Sequence, residues 1–341
     1  MRGRHAGDQV AAHGHVPARH LRPQQALGGR LRPHPEVGRR LQVLGHRAGL
    51  HRAHEALIDG GPAIAVPEGI GVVDTMIGLP SVERRDWQAS MSAVLRDEAS
   101  KAFEHPAGYM FKETPTVARE PDSIDRLLME MDRFGVERGL VPVTLTDELH
   151  VRALAEHPDR LVGSVEVDPN RGSEALRELE RAVRDHGVVA AQFFPAGKNP
   201  PVPINGKRAY PLYAKCVELD IPVFVQGGVP GPRVPMDSQY PGLVDEVCYD
   251  FPELRFVFRH GCEPWVDLTV KLLLKWPNLY YSTTAFAPRY YPEEIVRYAN
   301  TRGADKVLYG GYYPWGLELE RIFAELDGVG FKDEVWPKFL R

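Results

Sequence analysis

The sequence predicts a (β/α)8 TIM barrel, an α/β fold in which eight parallel strands alternate with helices and close into a ring. Short apolar runs that end in small or polar residues alternate with amphipathic stretches along residues 69–341. We find eight such units, and that number closes a parallel barrel. The length after residue 68 also suits one barrel domain. A doubly wound open sheet is the alternative, but the sequence has no GxGxxG or GxxxxGK turn.

The predicted elements follow one another with short connections. The strands are expected at residues 69–78, 136–143, 161–167, 188–194, 221–226, 256–260, 279–283 and 307–311. Helices are expected at residues 124–134, 147–155, 173–186, 210–219, 243–249 and 266–275. Ser123 is predicted to cap the first of these helices, and Asp147 to start the second. Residues 81–115 are rich in aromatic side chains, and we expect them to form an insertion over one barrel mouth.

The first part of the chain differs in composition from the rest. Residues 1–54 carry ten Arg, no Lys and two acids, and hold eight of the thirteen histidines. Such a basic arm is one way to bind nucleic acid, but it lacks any periodic apolar pattern. We interpret residues 1–68 as a disordered or non-native leader and predict no nucleic-acid partner. The spacing of His13, His15 and His20 is therefore not taken as a metal site.

Composition also limits the compartment and the partners. No run approaches the roughly 18 apolar residues that cross a bilayer, so we predict no membrane partner. The three cysteines are Cys216, Cys248 and Cys262, without a CxxC pair, which indicates reduced thiols and a cytoplasmic protein. We expect a small-molecule substrate, and a homo-oligomer is left open.

Polar residues gather where the predicted strands end, which is where TIM barrels bind their substrates. We predict that His260 transfers protons or binds a carboxylate, and that Tyr312 or its neighbour Tyr313 donates a hydrogen bond to an oxyanion. The predicted substrate-binding residues are Gln226, Gln192, Met76, Arg233 and Thr283. The alternatives are a structural His260 packed under Trp265, and simple aromatic packing by Tyr312. Strand alternation places Arg259 outside the barrel.

Several spaced motifs carry a family resemblance. They are residues 243–247, 250–254, 259–261, 263–265, 276–280 and 306–314, the last reading Lys-Val-Leu-Tyr-Gly-Gly-Tyr-Tyr-Pro. In this order they resemble the amidohydrolase-related (amidohydrolase 2) branch of the metal-dependent TIM-barrel hydrolases, over residues 69–325. The resemblance implies the barrel fold and a hydrolase, or a non-oxidative decarboxylase of aromatic or dienoic acids.

The resemblance also implies a divalent metal held by His-x-His on strand 1, histidines on strands 5 and 6, and an aspartate on strand 8. Those positions fall on Met76 and Gly78, Gln226, His260 and Tyr312. Thioether, amide and phenol groups are poor ligands for such an ion. We therefore predict no cofactor and no catalytic metal, with Zn or Mn considered only if the altered site still binds one.

The predicted function is an amidohydrolase-like hydrolase acting on a small carboxylic acid, amide or ester without the usual metal. One alternative is a metal-free lyase or decarboxylase that uses His260, and another is a non-catalytic barrel that serves as a binding or assembly partner. Because the family usually continues past residues 336–340, the C-terminal helix is expected to be truncated.

Overall fold

A computed structural model describes residues 69–79, 91–102, 107–111, 115 and 120–341. The predicted leader, residues 1–68, lies outside the described residues. So do parts of the predicted insertion, including Trp87 and Phe103.

Eight parallel strands are hydrogen-bonded to one another in sequence order. They are β1 (Val72–Asp74), β2 (Val136–Pro142), β3 (Leu161–Glu166), β4 (Val188–Phe193), β5 (Val223–Gln226), β6 (Phe256–Arg259), β7 (Leu279–Ser282) and β8 (Val307–Leu308). The residues after β1 bond to those after β8: Thr75 N–H donates to Tyr309 O at 3.2 Å, and Gly78 N–H donates to Tyr313 O at 2.8 Å. The predicted TIM barrel is confirmed.

Helices follow the strands on the outside of the sheet. The longer ones are Ser123–Arg133, Glu148–Glu156, Ser173–Asp185, Tyr210–Glu218, Val244–Asp250, Val266–Lys275, Glu293–Tyr298 and Leu319–Leu326, and the shorter ones are Glu98–Ala102 and Trp336–Leu340. Asp147 caps its helix as predicted, because its side chain accepts the Leu149 N–H at 3.0 Å. The prediction for Ser123 is wrong. Asp122 occupies the N-cap, and Ser123 Oγ instead accepts the Glu120 N–H at 2.9 Å.

The core has two layers. The larger layer packs between strands and helices, and a smaller cluster fills the barrel interior, with Leu140, Ala190, Phe224 and Val257 at its centre. Since side chains alternate along a strand, Arg259 shares the interior face of β6 with Val257. The sequence-based placement of Arg259 outside the barrel is therefore wrong. Alternation would point Arg259 outward only if His260 continued the strand and pointed inward. His260 instead has φ 62° and turns out of the strand.

Three further features bear on the compartment predictions. The three cysteines are buried and free. Burial raises the pKa of the Cys216 and Cys248 thiols to about 12, so they are protonated at neutral pH. Within the described part of the chain, every helix is too short or too polar to cross a membrane.

Candidate active site

A cavity of about 1060 Å³ lies at the carboxyl ends of the strands. Gln226 from the end of β5, His260 from the turn after β6 and Tyr312 from the turn after β8 contribute to its wall. The aromatic part of the wall comes from Tyr109, Phe111, Phe194, Phe286 and Tyr290. The structure thus brings three of the predicted site residues together in a largely apolar pocket, the kind of site that binds small organic molecules.

The His260 side chain is held by Thr284, the second residue after β7. Thr284 Oγ1 lies 3.1 Å from His260 Nδ1 and also accepts the His260 backbone N–H at 3.3 Å. Thr284 Oγ1 thus holds the imidazole in place, and the tautomer of the ring sets which of the two atoms donates. Trp265 meets the ring of Tyr240, with centroids 5.2 Å apart, and the alternative that His260 packs under Trp265 stays a prediction.

Tyr312 sits among aromatic rings in a left-handed backbone conformation with φ 90°. Its ring centroid lies 6.0 Å from that of Phe111, 5.8 Å from Trp315 and 5.4 Å from His260. Burial raises the pKa of its phenol to about 12, and the positive charge of Arg259 opposes that rise. The phenol is therefore neutral near pH 7 and is able to donate a hydrogen bond.

The remaining predicted substrate-binding residues lie outside the cavity wall. Gln192 is buried and donates to Ser164 Oγ. Met76 is buried, and Thr283 donates to Leu308 O at 3.4 Å. Arg233 lies 3.5 Å from Asp97 and stacks over the Tyr109 ring at 4.9 Å. A role for these four residues in substrate binding stays a prediction.

Sequence reasoning missed residues that the structure places at the site. Thr284 contacts His260. It is one of the polar residues that the sequence places at the strand ends, but the predicted binding role belongs to its neighbour Thr283. The aromatic content of residues 81–115 did signal part of the wall, since Tyr109 and Phe111 line it. Trp315 carried no such signal, because its partner Gly78 is more than 200 residues earlier in the chain.

The positions where relatives are expected to hold a metal do converge in space. The Met76 carbonyl accepts the Tyr312 N–H at 2.9 Å. The side chains do not fit an ion, however. A Cβ on Gly78 would lie 2.2 Å from Trp315 Cη2, so an indole ring occupies the space into which a side chain at this position would extend. Among the described residues no group of three His, Cys, Asp or Glu side chains is placed to bind a metal. This donor set does not match a divalent ion.

Asp74 at the end of β1 is a buried carboxyl next to the site. Its Oδ1 accepts the N–H groups of Met76 and Gly311, both at 2.8 Å. Its Oδ2 has no hydrogen-bond partner in the described part of the protein. Burial raises the pKa of Asp74 to about 6, although those two hydrogen bonds and the charge of Arg259 oppose the rise.

The strand order and the cavity define a TIM-barrel protein with a ligand-sized site at the carboxyl ends of its strands. The chain belongs to the amidohydrolase family, whose model matches residues 10–333. The matched range begins inside the segment that we interpreted as a leader.

Known structures support the fold. An uncharacterized TIM-barrel protein from Bordetella bronchiseptica is 21% identical, with 80% of this chain and 95% of that chain covered and a TM-score of 0.62. A 5-carboxyvanillate decarboxylase from Novosphingobium aromaticivorans, with bound manganese, is 15% identical, with 83% and 96% covered and a TM-score of 0.57. A dihydroxybenzoic acid decarboxylase from Polaromonas sp., also with manganese, is 15% identical, with 79% and 94% covered and a TM-score of 0.52.

One curated relative matches a shorter segment. A 2-keto-4-carboxy-3-hexenedioate hydratase from Sphingobium sp. is 29% identical over 103 residues. That match covers 26% of this chain and 30% of the hydratase.

Proposed function

We propose that this protein is a lyase that transfers a proton to or from a carbon atom of an aromatic or conjugated carboxylic acid. His260 is the proton-transfer group, and Tyr312 donates a hydrogen bond to the oxyanion that forms beside the reacting carbon. The observation that carries this proposal is the contact of the two rings, 5.4 Å apart, in the wall of a largely apolar cavity.

The two side chains supply what such a reaction needs. In a decarboxylation of a hydroxy-substituted aromatic acid in its phenolate form, the protonated imidazole of His260 gives its proton to the ring carbon that bears the carboxylate, and the phenolate oxygen becomes a ketone. The bond to the carboxylate then breaks, its electron pair restores the ring and the phenolate, carbon dioxide leaves, and His260 is reprotonated by solvent. In a hydration, water oxygen bonds to the β-carbon and releases a proton to solvent, and His260 protonates the α-carbon. Both routes pass through an enolate or phenolate that Tyr312 stabilises.

The relatives support this reaction class. Two structures that share the fold are of proteins named decarboxylases, and the curated relative is named a hydratase. All three names describe lyases that act on carboxylic acids. The Thr284 contact adds support from the chain itself, because it orients the imidazole.

Hydrolysis of a small amide or ester is the second candidate, favoured by the family itself. It requires an activated water, which these barrels are expected to generate on a metal. The side chains at Met76, Gly78, Gln226 and Tyr312 do not suit an ion, so we rank hydrolysis lower and propose chemistry without a resident metal. The two decarboxylase structures contain manganese, which favours a metal-dependent reaction. Measuring the metal content of the purified protein decides between a reaction with a metal and a reaction without one.

The test is turnover of a defined panel of acids. Purified protein is incubated with 5-carboxyvanillate, 2,6-dihydroxybenzoate and 2-keto-4-carboxy-3-hexenedioate in D₂O, and the products are followed by NMR. We expect loss of carbon dioxide or addition of water for at least one acid, with deuterium at the reacting carbon, and formation of that product at least about 100-fold more slowly by His260→Asn. Turnover of amides or esters alone would favour the hydrolase, and no turnover of either class would favour a non-catalytic barrel.

A further inference from the structure

Arg259 is a buried cation in the barrel interior that the proposed chemistry does not use. It is 2% exposed, and its guanidinium lies 4.6 Å from the centroid of the Phe224 ring. Its Nη2 donates to Thr75 O at 3.1 Å, so the side chain reaches from β6 to the residue after β1. This position is above the interior cluster and below the mouth of the barrel.

Arg259 does not itself line the cavity, but residues that do line it adjoin Arg259 in the sheet and along the chain. Phe224 and Gln226 are two residues apart on β5, so their side chains share a face, and Gln226 pairs in register with Arg259. His260 follows Arg259 in the chain. The positive charge of Arg259 also acts on the phenol of Tyr312, where it opposes the rise in pKa that burial causes. Gln226, His260 and Tyr312 thus form the part of the wall nearest to Arg259.

The charge of Arg259 is poorly compensated by the protein. Among the residues that the structure describes, no carboxylate lies within 4 Å of it, and its Nε is buried without a hydrogen-bond partner. The nearby carboxylates act on it only at longer range: Glu166 binds Lys198, and Asp74 accepts two backbone N–H groups through its Oδ1. Burial lowers the pKa of Arg259 to about 10, which still leaves it charged at neutral pH. A buried charge without a partner costs stability unless a ligand completes it.

The other cations of the cavity already have a partner. Arg289 and Arg321 line the outer part of the wall, and both bind Glu325. Of these three arginines, Arg259 is therefore the one that has no carboxylate within 4 Å among the described residues.

We propose that Arg259 makes the inner end of this cavity a binding site for the carboxylate of an aromatic or conjugated acid. The carboxylate enters first and faces the guanidinium, and the flat body of the molecule lies against the aromatic wall. This inference takes its class of substrate from the proposed function, but it does not require that the protein converts the substrate. Because Arg259 stabilises a charged carboxylate and not neutral carbon dioxide, the anchored carboxylate is one that the reaction retains.

The experiment compares two ligands of the same shape that differ in charge. Binding of benzoate and of benzamide is measured by isothermal titration calorimetry at pH 7.5, for the full-length wild-type protein and for Arg259→Met. We expect the wild-type protein to prefer benzoate by at least about tenfold, as for a charge-assisted hydrogen bond. Arg259→Met should lose that preference and leave benzamide binding unchanged. Arg321→Met is the matched control, an arginine on the outer wall, and should keep the preference.

A second variant covers the case in which Arg259→Met fails to fold. Arg259→Lys keeps the charge but loses the planar fork, so benzoate affinity should fall by about threefold to tenfold with benzamide affinity constant. The proposal is overturned if wild-type protein does not prefer benzoate to benzamide, or if a folded Arg259 variant keeps the full preference. His260→Asn should keep the preference for benzoate. If binding depends on Arg259 but the protein converts none of the acids in the panel, this inference is supported and the proposed lyase is rejected.

Discussion

The imidazole of His260 meets the ring of Tyr312 edge-on, with the ring planes at 75° and the centroids 5.4 Å apart. Both residues lie in turns with positive φ just after a strand, His260 after β6 and Tyr312 after β8. These turns point the two side chains at one cavity, although the residues are about 50 positions apart in the chain. The proposed proton-transfer group, His260, therefore lies next to the neutral phenol of Tyr312.

His260→Asn should abolish most of the turnover of any acid that the wild-type protein converts. A positioned general acid or base contributes about 10²–10⁴-fold, so kcat should fall by that factor while the cavity keeps its shape. Steady-state kinetics check this, with His186→Asn as the control because His186 ends the helix Ser173–Asp185 and does not line the cavity. Wild-type kcat in His260→Asn would assign that histidine a structural role.

Tyr312→Phe should lower kcat by about 10²-fold or more if its hydroxyl stabilises an oxyanion. The ring contacts with Phe111, Trp315 and His260 are kept in this variant, so folding should change little. Kinetics and thermal unfolding are measured together. Unchanged kcat would mean that the hydroxyl does no chemistry, and a drop in thermal stability in the same variant would assign the hydroxyl a structural role.

Thr284→Val should reduce kcat by roughly tenfold and leave KM nearly constant, since the substitution removes the hydrogen bond that orients His260. The pH profile of kcat should also shift, because Nδ1 loses its partner. Thr269→Val is the control: its hydroxyl donates to Trp265 O at 2.9 Å, and the residue does not line the cavity. Equal kinetic effects of the two variants would argue against positioning through Thr284.

Asp74→Asn should change how stability depends on pH. The folded-state pKa of about 6 is above the ordinary 3.8, so protonation stabilises the fold below about pH 4 and that contribution is lost as pH rises to 6. The wild-type free energy of unfolding should therefore fall by up to about 3 kcal/mol across this window. Asn is neutral and still accepts the two backbone N–H groups, so its curve should be flatter, as urea unfolding at several pH values will show. Parallel curves would contradict a raised pKa.

Sequence periodicity was enough to place the barrel and most of its strands, because each strand is a short apolar run between clear breaks. It failed where one residue left the regular pattern. The left-handed turn at His260 breaks the alternation, so Arg259 was assigned to the wrong face. β7 ends at Ser282, and the turn after it brings Thr284 rather than Thr283 to the histidine. The packing of Trp315 against Gly78 joins distant segments, which no local pattern reveals.

The proposed reaction depends on proton transfer by His260 without a resident metal. The decisive measurement is turnover of the acid panel by protein treated with a chelator, with its metal content determined by mass spectrometry. We predict that the metal-free wild-type protein converts at least one acid at an unchanged rate, and that His260→Asn does so at least about 100-fold more slowly. Turnover that appears only after Mn²⁺ or Zn²⁺ is restored would contradict the account.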